Sequence, residues 1–452
     1  MIDQIIIILY LLVMLGIGLF FARKQKSEEV FFLAGKDLGT FHVVSTIFST
    51  VAGAGSLFMV ASLGYTYGIS VIWFFISAFV GFIIFSFAVP KIKRIADEND
   101  CVTLPELLRA RLDKRSMIVS SIATIAIFSG LVAVNFLAAG NILKILFDIP
   151  LVPIVIGFAI IVTIYSLLGG FKAVVWTDIV QMFIIIIGVL IALYLLLNSV
   201  GGLSSFSQLP ATHKDPVGMG WSLIIGLFVS TILCYFSSQD IMQRIFAAKN
   251  EKVAKTSAIW MGVVLIVVGS LVALLGIYGK LLFPDAIAGE IIPLITRTVV
   301  PLGFSGIVLA AYLSMANSTA DSELLTVTSN VMRDFYGPSK FLTPKQEVRA
   351  SRLVLVIVAL IALVLELTIK NITDIVLAMY TWFGILGMNV IATLFWKRTS
   401  SSAVFWSLTI GYLSAIVYAL FTGDFETSMI IGLIPAFLIL ITISFFNKKN
   451  YL

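Results

Sequence analysis

The segment IVQMFIIIIGVLIALYLLL, residues 179–197, decides the class of the fold. As a helix it spans nearly the whole hydrocarbon core of a bilayer, because a helix rises about 1.5 Å per residue and that core is about 30 Å thick. It is too long and too continuously apolar for a strand of a membrane barrel. Only helices and closed barrels satisfy the backbone polar groups in lipid. We therefore predict an α-helical membrane protein.

The composition extends this conclusion to the whole chain of 452 residues. Hydrophobic residues make up 60% and charged residues 12%, with a mean hydropathy of +1.09. Soluble domains carry roughly 25% charged residues, so lipid is the expected solvent for most of the chain. The two cysteines and two histidines form no cluster that suggests disulfides or a metal site. With no nucleophile–base pair either, we expect a carrier and not an enzyme.

Thirteen apolar segments predict an all-α polytopic protein with about 13 transmembrane helices in a single transmembrane domain, residues 1–452. They lie at 3–22, 41–66, 69–90, 118–147, 151–168, 174–199, 218–243, 256–280, 301–331, 351–369, 373–396, 403–421 and 427–446. The first segment lacks the basic leader and the small-residue cleavage site of a signal peptide, so we expect it to remain as an anchor. No loop is long enough for a soluble domain.

The basic residues test this arrangement, because cytoplasmic loops of membrane proteins are enriched in Lys and Arg. With the N-terminus outside, 25 of the 30 Lys and Arg residues fall on the cytoplasmic side. The other five are Lys144, Lys214, Lys280, Arg297 and Lys370. We therefore predict a multi-pass protein of the plasma (inner) membrane with its C-terminus in the cytoplasm. This division also explains the basic pI of about 9.1, so no nucleic-acid partner is expected.

An oxygen-rich stripe lies inside the predicted span at 301–331. In LAAYLSMANSTADSELLTVTSN, residues 309–330, the side chains of Ser318, Asp321 and Ser322 share one helix face because they are spaced i, i+3 and i+4. Hard cations such as sodium prefer oxygen ligands, and a carboxylate offsets their charge where water is scarce. Hydroxyls also join helices in membranes, but so many oxygens beside an acid favour ion binding.

Two glycines interrupt the predicted span at 41–66. Gly53 and Gly55 lie close together in mid-span, and glycine weakens a helix by about 1 kcal/mol relative to alanine. Unwound backbone carbonyls hold sodium near the midplane of some transporters. The alternative is a small-residue surface for close helix packing, and from these residues alone it is slightly favoured.

Three further acidic residues lie in or beside predicted spans, where insertion of each costs about 2.5–3.5 kcal/mol. Asp178 stands several residues after the start of its span, which favours a cation-facing role over dipole complementation at a helix N-terminus. Asp240 follows a Ser-Ser-Gln run and either lines a polar cavity or gate, or pairs with Arg244 at i+4; the two readings are even. Glu366 is interpreted as interfacial.

Six segments, in this order, resemble the sodium:solute symporter family. They are FFLAGKDLG (31–39), TLPELLRAR (103–111), GGFKAVVWTDIVQ (169–181), QDIMQRIFAAK (239–249), STADSELL (318–325) and RDFYG (333–337). The resemblance implies the leucine-transporter fold, a 5+5 inverted repeat. Repeat one would cover about 41–199 and repeat two about 218–396, with an extra helix at 3–22 and accessory helices at 403–446.

The resemblance also implies sodium as the coupling ion and supplies its ligands. The main site of the family combines backbone carbonyls of an unwound helix with hydroxyls of a later one. The matching positions are Ser49, Ala52, Met315, Ser318 and Thr319. Some members bind a second sodium through an aspartate, and its matching positions are Asp178, Ser318, Asp321 and Ser322. One and two sodium ions both remain open.

Solute contacts implied by the resemblance surround the glycine break. The matching positions are Gly53, Ser56, Phe74, Asn135, Ser238, Gln239 and Asp240. The resemblance implies that sialic-acid members bind the solute carboxylate through an arginine in the third repeat helix. The span at 118–147 has no arginine, which argues against sialic acid as the solute. Proline members share the Ser318–Thr319 hydroxyl pair but carry Asp and Trp where this chain reads TVAGAG (50–55). A small amino acid or carboxylate is preferred over a sugar, because the candidate cavity residues include few of the polar pairs that bind sugars.

These observations predict a secondary active symporter that couples inward sodium movement to uptake of a small organic solute by alternating access. We expect it to work as a monomer in the lipid bilayer. Proton coupling through Asp178 or Asp321 is the main alternative. A sensor or channel that reuses the fold is a further one, disfavoured because no output domain or continuous polar pore is evident.

Overall fold

A computed structural model describes residues 2–22, 25, 27–144, 147, 149–337, 343–368 and 372–446. Throughout that part of the chain the regular elements are helical, apart from one isolated bridge between Leu38 and Ala248. The α-helices are α1 (Ile2–Ala22), α2 (Glu28–Leu33), α3 (Thr40–Val51), α4 (Ala54–Tyr67), α5 (Ile72–Glu98), α6 (Leu104–Arg111), α7 (Lys114–Lys144), α8 (Leu151–Val200), α9 (Trp221–Ser237), α10 (Gln239–Ala247), α11 (Glu251–Leu282), α12 (Ile291–Thr298), α13 (Phe304–Asn330), α14 (Pro344–Thr368), α15 (Ile372–Phe395), α16 (Ser401–Thr422) and α17 (Phe425–Phe446).

The predicted span at 41–66 is divided into α3 and α4 at its glycines, although a packing surface was the slightly favoured interpretation of these residues. Two residues between α3 and α4 have non-helical backbone angles: Ala52 (φ −78°, ψ 41°) and Gly53 (φ −61°, ψ 160°). A side chain on Gly53 would meet the Thr319 hydroxyl of α13, with its Cβ 2.7 Å from Oγ1. The close packing and the unwinding that the glycines allow therefore both occur at this break.

A second break, which the sequence analysis did not predict, divides the span at 218–243. Helix α9 ends at Ser237 and α10 begins at Gln239, and the two helices meet at an angle of 52°. Ser238 links them in an extended conformation (φ −73°, ψ 104°). The sequence lacks glycine or proline here, so no local residue signals the bend. The described residues thus include two interrupted helices, as in many transporters.

Two predicted spans, 151–168 and 174–199, are joined in the long helix α8. The direction of α8 changes at Gly170, whose backbone (φ 55°, ψ −163°) is accessible mainly to glycine. By length and apolar composition, seven of the described helices can cross a membrane, or eight if the bent pair counts as one span. These counts treat α8 as one span although its 50 residues are long enough for two crossings. The count of thirteen stays a prediction.

Helix α13 lies at the centre of the bundle. Its residues from Val308 to Asn330 are buried without interruption, and it packs against α1, α3, α7 and α8. Such a helix is buried on all faces by protein, which lets it carry polar residues that lipid would not accept. The polar stripe seen in the sequence is therefore internal.

A polar network joins the short helices α2 and α6 to a π-helical turn, Val331–Tyr336, that follows α13. The Arg333 guanidinium lies 3.0 Å from the Glu106 carboxylate and 3.4 Å from that of Glu28. The neighbouring carboxylate of Asp334 accepts hydrogen bonds from three polar side chains at 2.6–2.7 Å, those of Thr103, Ser121 and Asn330. Polar contacts thus hold this end of the bundle together. Arg333 and Asp334, which take part in them, lie outside the predicted spans.

Burial raises the pKa of Asp334 to about 7, and its three hydrogen bonds lower the pKa only in part. The folded protein then holds the proton more tightly than the unfolded chain, so stability falls as pH rises from about 4 to about 7 and levels off above that. We predict that Asp334→Asn removes this slope, which is at most about 1.4 kcal/mol of stability per pH unit for one proton.

The measurement is the melting temperature of the detergent-purified protein from pH 5 to pH 8. Asp113→Asn, which alters a half-buried loop carboxylate, is the control and should leave the slope in place. An Asp334→Asn variant that keeps the wild-type slope would contradict the assignment.

Candidate functional site

The hydroxyls of α13 meet the backbone carbonyls at the broken end of α3. Ser318 Oγ donates to the carbonyl of Ser49 at 2.6 Å and lies 3.2 Å from that of Met315. Thr319 Oγ1 lies 3.0 Å from the carbonyl of Thr50 and 2.9 Å from that of Met315. Three carbonyl and two hydroxyl oxygens thus converge inside the protein. Neutral oxygens of this kind suit a hard monovalent cation.

Four of the five residues predicted for the main sodium site are in this cluster; Ala52 is the fifth. It lies half-buried at the break, with its N–H bonded to the Phe48 carbonyl at 2.8 Å. The carbonyl of Thr50, which the sequence analysis did not select, takes part in the cluster instead. This carbonyl could have been found from the sequence, because Thr50 directly follows the predicted ligand Ser49. The donor set fits a sodium ion.

Asp178, the first residue predicted for a second sodium, contacts this cluster through Ser49. Ser49 Oγ donates to the backbone carbonyl of Asp178 at 2.7 Å, and Thr46 Oγ1 donates to its carboxylate. The guanidinium of Arg244 lies 3.5 Å from the same carboxylate oxygen. Both side chains of this ion pair are 0% exposed. The carboxylate is therefore paired with an internal cation.

Arg244 is the main residue that the sequence analysis misjudged. It was counted with the cytoplasmic basic residues and weighed only as a partner for the Asp240 carboxylate. The structure gives it a 3.0 Å bond to the backbone carbonyl of Asp240, and directs the guanidinium inward. There it donates to Thr46 at 3.0 Å, to Thr50 at 2.6 Å and to Ser322 at 2.6 Å. Asp240, four residues earlier, was the only partner that the local sequence offered, whereas these three hydroxyls lie on α3 and α13.

The other predicted carboxylate, Asp321, is held from the opposite side. Tyr165 donates a 2.5 Å hydrogen bond to one oxygen, and Ser322 Oγ lies 3.2 Å from the other. Ser322 therefore links Asp321 to the guanidinium of Arg244. The four residues predicted for a second sodium are neighbours, but an arginine lies among them.

The predicted solute residues are not all brought together. Gly53, Ser238 and Asp240 lie at the two helix breaks, with the Asp240 carboxylate bonded to Ser238 Oγ and to a backbone N–H of α10 at 2.8 Å. Gln239 turns away, since its amide bonds the backbone at Leu104 and Val102. Ser56 and Phe74 are half-buried on α4 and α5.

Asn135 reveals a further residue that the sequence analysis missed, Glu323. The Asn135 amide donates to the Glu323 carboxylate at 3.2 Å, and both side chains are buried. Glu323 was quoted within STADSELL without a role. A second acid two residues after Asp321 in a buried helix was the available signal.

Two interrupted helices around a buried cluster of neutral oxygens define a secondary transporter of the leucine-transporter type. A sequence profile of the Sodium:solute symporter family matches residues 31–411, and the chain belongs to that family. It is accordingly a sodium-coupled transporter and not an enzyme.

Known relatives support both the fold and the family. The chain is 26% identical to a sodium/glucose cotransporter of Vibrio parahaemolyticus, over 95% of this chain and 86% of the relative. It is 27% identical to a sodium/proline symporter of Staphylococcus aureus, over 99% and 92%. The solved structure of a Na+-coupled sialic acid symporter, substrate-bound and outward-open, matches with a TM-score of 0.83 at 20% identity, over 98% of each chain. That likeness confirms the fold.

The close approach of Gly53 to Thr319 predicts an effect of Gly53→Ala on sodium binding, and the nearby Gly55 supplies the control. In Gly53→Ala the new methyl would lie 2.7 Å from Thr319 Oγ1 and push the hydroxyl away from its two carbonyls. We expect the sodium concentration for half-maximal uptake to rise about tenfold, which corresponds to about 1.4 kcal/mol. In Gly55→Ala the methyl meets nothing within 4 Å, so a near-normal value is expected. Equal effects of the two substitutions on sodium-dependent uptake would refute the packing argument.

Proposed function

We propose that one sodium ion binds the predicted ligands Ser49, Ala52, Met315, Ser318 and Thr319 together with the carbonyl of Thr50, and that it drives uptake of a small solute. The observation that carries this proposal is the convergence of α3 carbonyls and α13 hydroxyls at the helix break. An ion there holds α3 against α13 and so completes the solute pocket beside the break. Uptake then follows when the loaded protein changes from outward-facing to inward-facing.

The sodium gradient is sufficient for concentrative uptake. A membrane potential of 100 mV contributes about 2.3 kcal/mol per charge, and a tenfold sodium gradient adds about 1.4 kcal/mol. Together they allow one sodium ion to concentrate a neutral solute by roughly a few hundred-fold.

For the orientation we propose an inner-membrane protein with its N-terminus outside and its C-terminus in the cytoplasm. The support is the division of the basic residues, 25 of which fall on the predicted cytoplasmic side.

For the solute we propose a small amino acid or carboxylate. The relatives carry different solutes by name, among them glucose, proline and pantothenate. The support from this chain is the N-terminus of α4, whose cap residue Gly53 offers no side-chain hydrogen bond. Free N–H groups at a helix N-terminus attract an anionic group. A solute carboxylate at the break would accept hydrogen bonds from these N–H groups.

Proton coupling is the alternative to sodium coupling, and the burial of the Glu323 carboxylate is the observation in its favour. Its buried carboxylate bonds the Asn135 amide, and no ion pair of Glu323 is found in the described residues. Uptake into proteoliposomes, with sodium and pH gradients imposed separately, distinguishes the two. We expect a sodium gradient alone to drive uptake at uniform pH. Uptake driven by pH alone and indifferent to sodium would overturn the proposal.

Substitutions on α13 test the ligands. Ser318→Ala and Thr319→Ala each remove a hydroxyl from the cluster, and we expect each to raise the sodium concentration for half-maximal uptake about tenfold or more. The matched controls are Ser329→Ala and Thr328→Ala, whose buried hydroxyls bond carbonyls of their own helix at 2.8 and 2.7 Å. Wild-type sodium dependence in both ligand variants would remove α13 from the site.

A further inference from the structure

We propose that the guanidinium of Arg244 takes the place of a second sodium ion beside Asp178, so that this protein binds a single sodium ion per transport cycle. The inference rests on the proposed function, because it concerns the ion stoichiometry of the same site. The resemblance to the family implied a second sodium site at Asp178, Ser318, Asp321 and Ser322. The contacts of these residues do not fit a further cation.

Arg244 already holds the oxygens that such an ion would need. Its Nη2 lies 2.6 Å from Ser322 Oγ, 2.6 Å from Thr50 Oγ1 and 3.5 Å from Asp178 Oδ2. A sodium ion on the same oxygens would lie within ~4 Å of the guanidinium, where like charges repel strongly in a medium of low dielectric. The Phe171 ring, 5.3 Å from Arg244 Cζ, further stabilises the guanidinium in place.

The Asp178 carboxylate already has a cation beside it. The guanidinium of Arg244 lies 3.5 Å from it, and Ser322 links the same guanidinium to Asp321. A sodium ion on the same oxygens would add a second positive charge beside this carboxylate, in a site where both side chains of the pair are 0% exposed. Unpaired buried charge of this kind is costly.

One oxygen of the predicted second site remains available. Asp178 Oδ1 has no hydrogen-bond partner among the described residues. Ser318 Oγ, which would have to join it, is already engaged with the carbonyls of Ser49 and Met315. A single carboxylate oxygen does not form a coordination shell, so it does not restore the second site.

The test counts bound sodium on the purified full-length protein, with radioactive sodium at equilibrium and with a sodium titration of the melting temperature. We expect one ion per wild-type chain and a Hill coefficient near 1. Arg244→Gln removes the charge and should bind two ions, with a Hill coefficient above 1. Arg244→Lys keeps a cation and should bind one, and adding Asp178→Asn to Arg244→Gln should return the count to one.

Two ions bound per wild-type chain would overturn the inference, and so would a folded Arg244→Gln that still binds one. No sodium bound by the wild type, with uptake indifferent to sodium, would overturn the proposed function instead. If Arg244→Gln does not fold, the reversal potential of wild-type transport decides. A ratio of one sodium per solute supports the inference, and a ratio of two refutes it.

Discussion

The contact between the broken end of α3 and the hydroxyls of α13 is the constraint on which the site depends. A helix interrupted inside a membrane releases carbonyls that neither water nor lipid can satisfy. Here Ser318 and Thr319 meet the carbonyls of Ser49 and Thr50 at 2.6 and 3.0 Å. The same oxygens form the proposed sodium site, so the groups that make the break tolerable are also those that a cation would bind.

This constraint explains why α13 is buried along nearly its whole length. A helix with hydroxyls, two amides and two acids on its faces has to be surrounded by protein, since lipid offers these groups no partners. The helices α1, α3, α7 and α8 supply that surrounding, and their own polar residues, such as Tyr165 and Asn135, bond the acids. Lipid then contacts the outer helices, which the apolar segments of the sequence form.

The ion pair of Arg244 and Asp178 connects the two interrupted segments. Arg244 stands on α10, after the second break, and its guanidinium reaches Thr46 and Thr50 on α3, before the first break. A movement that separates α10 from α3 has to break these buried bonds together. Arg244 therefore ties α10 to α3 and α8, in addition to occupying the space beside Asp178.

The sequence by itself determined the class of the protein and the oxygen stripe of α13, and it marked Gly53 as either a break or a packing surface. These features are local, because hydrophobic length, glycine in mid-span and i, i+3, i+4 spacing can each be read within one segment. Its six motifs also identified the family. The tertiary structure decided what the motifs did not: the bend at Ser238, the internal position of Arg244 and the partner of Glu323. Each depends on residues far apart in sequence, such as Arg244 and Asp178, that meet only when the helices pack.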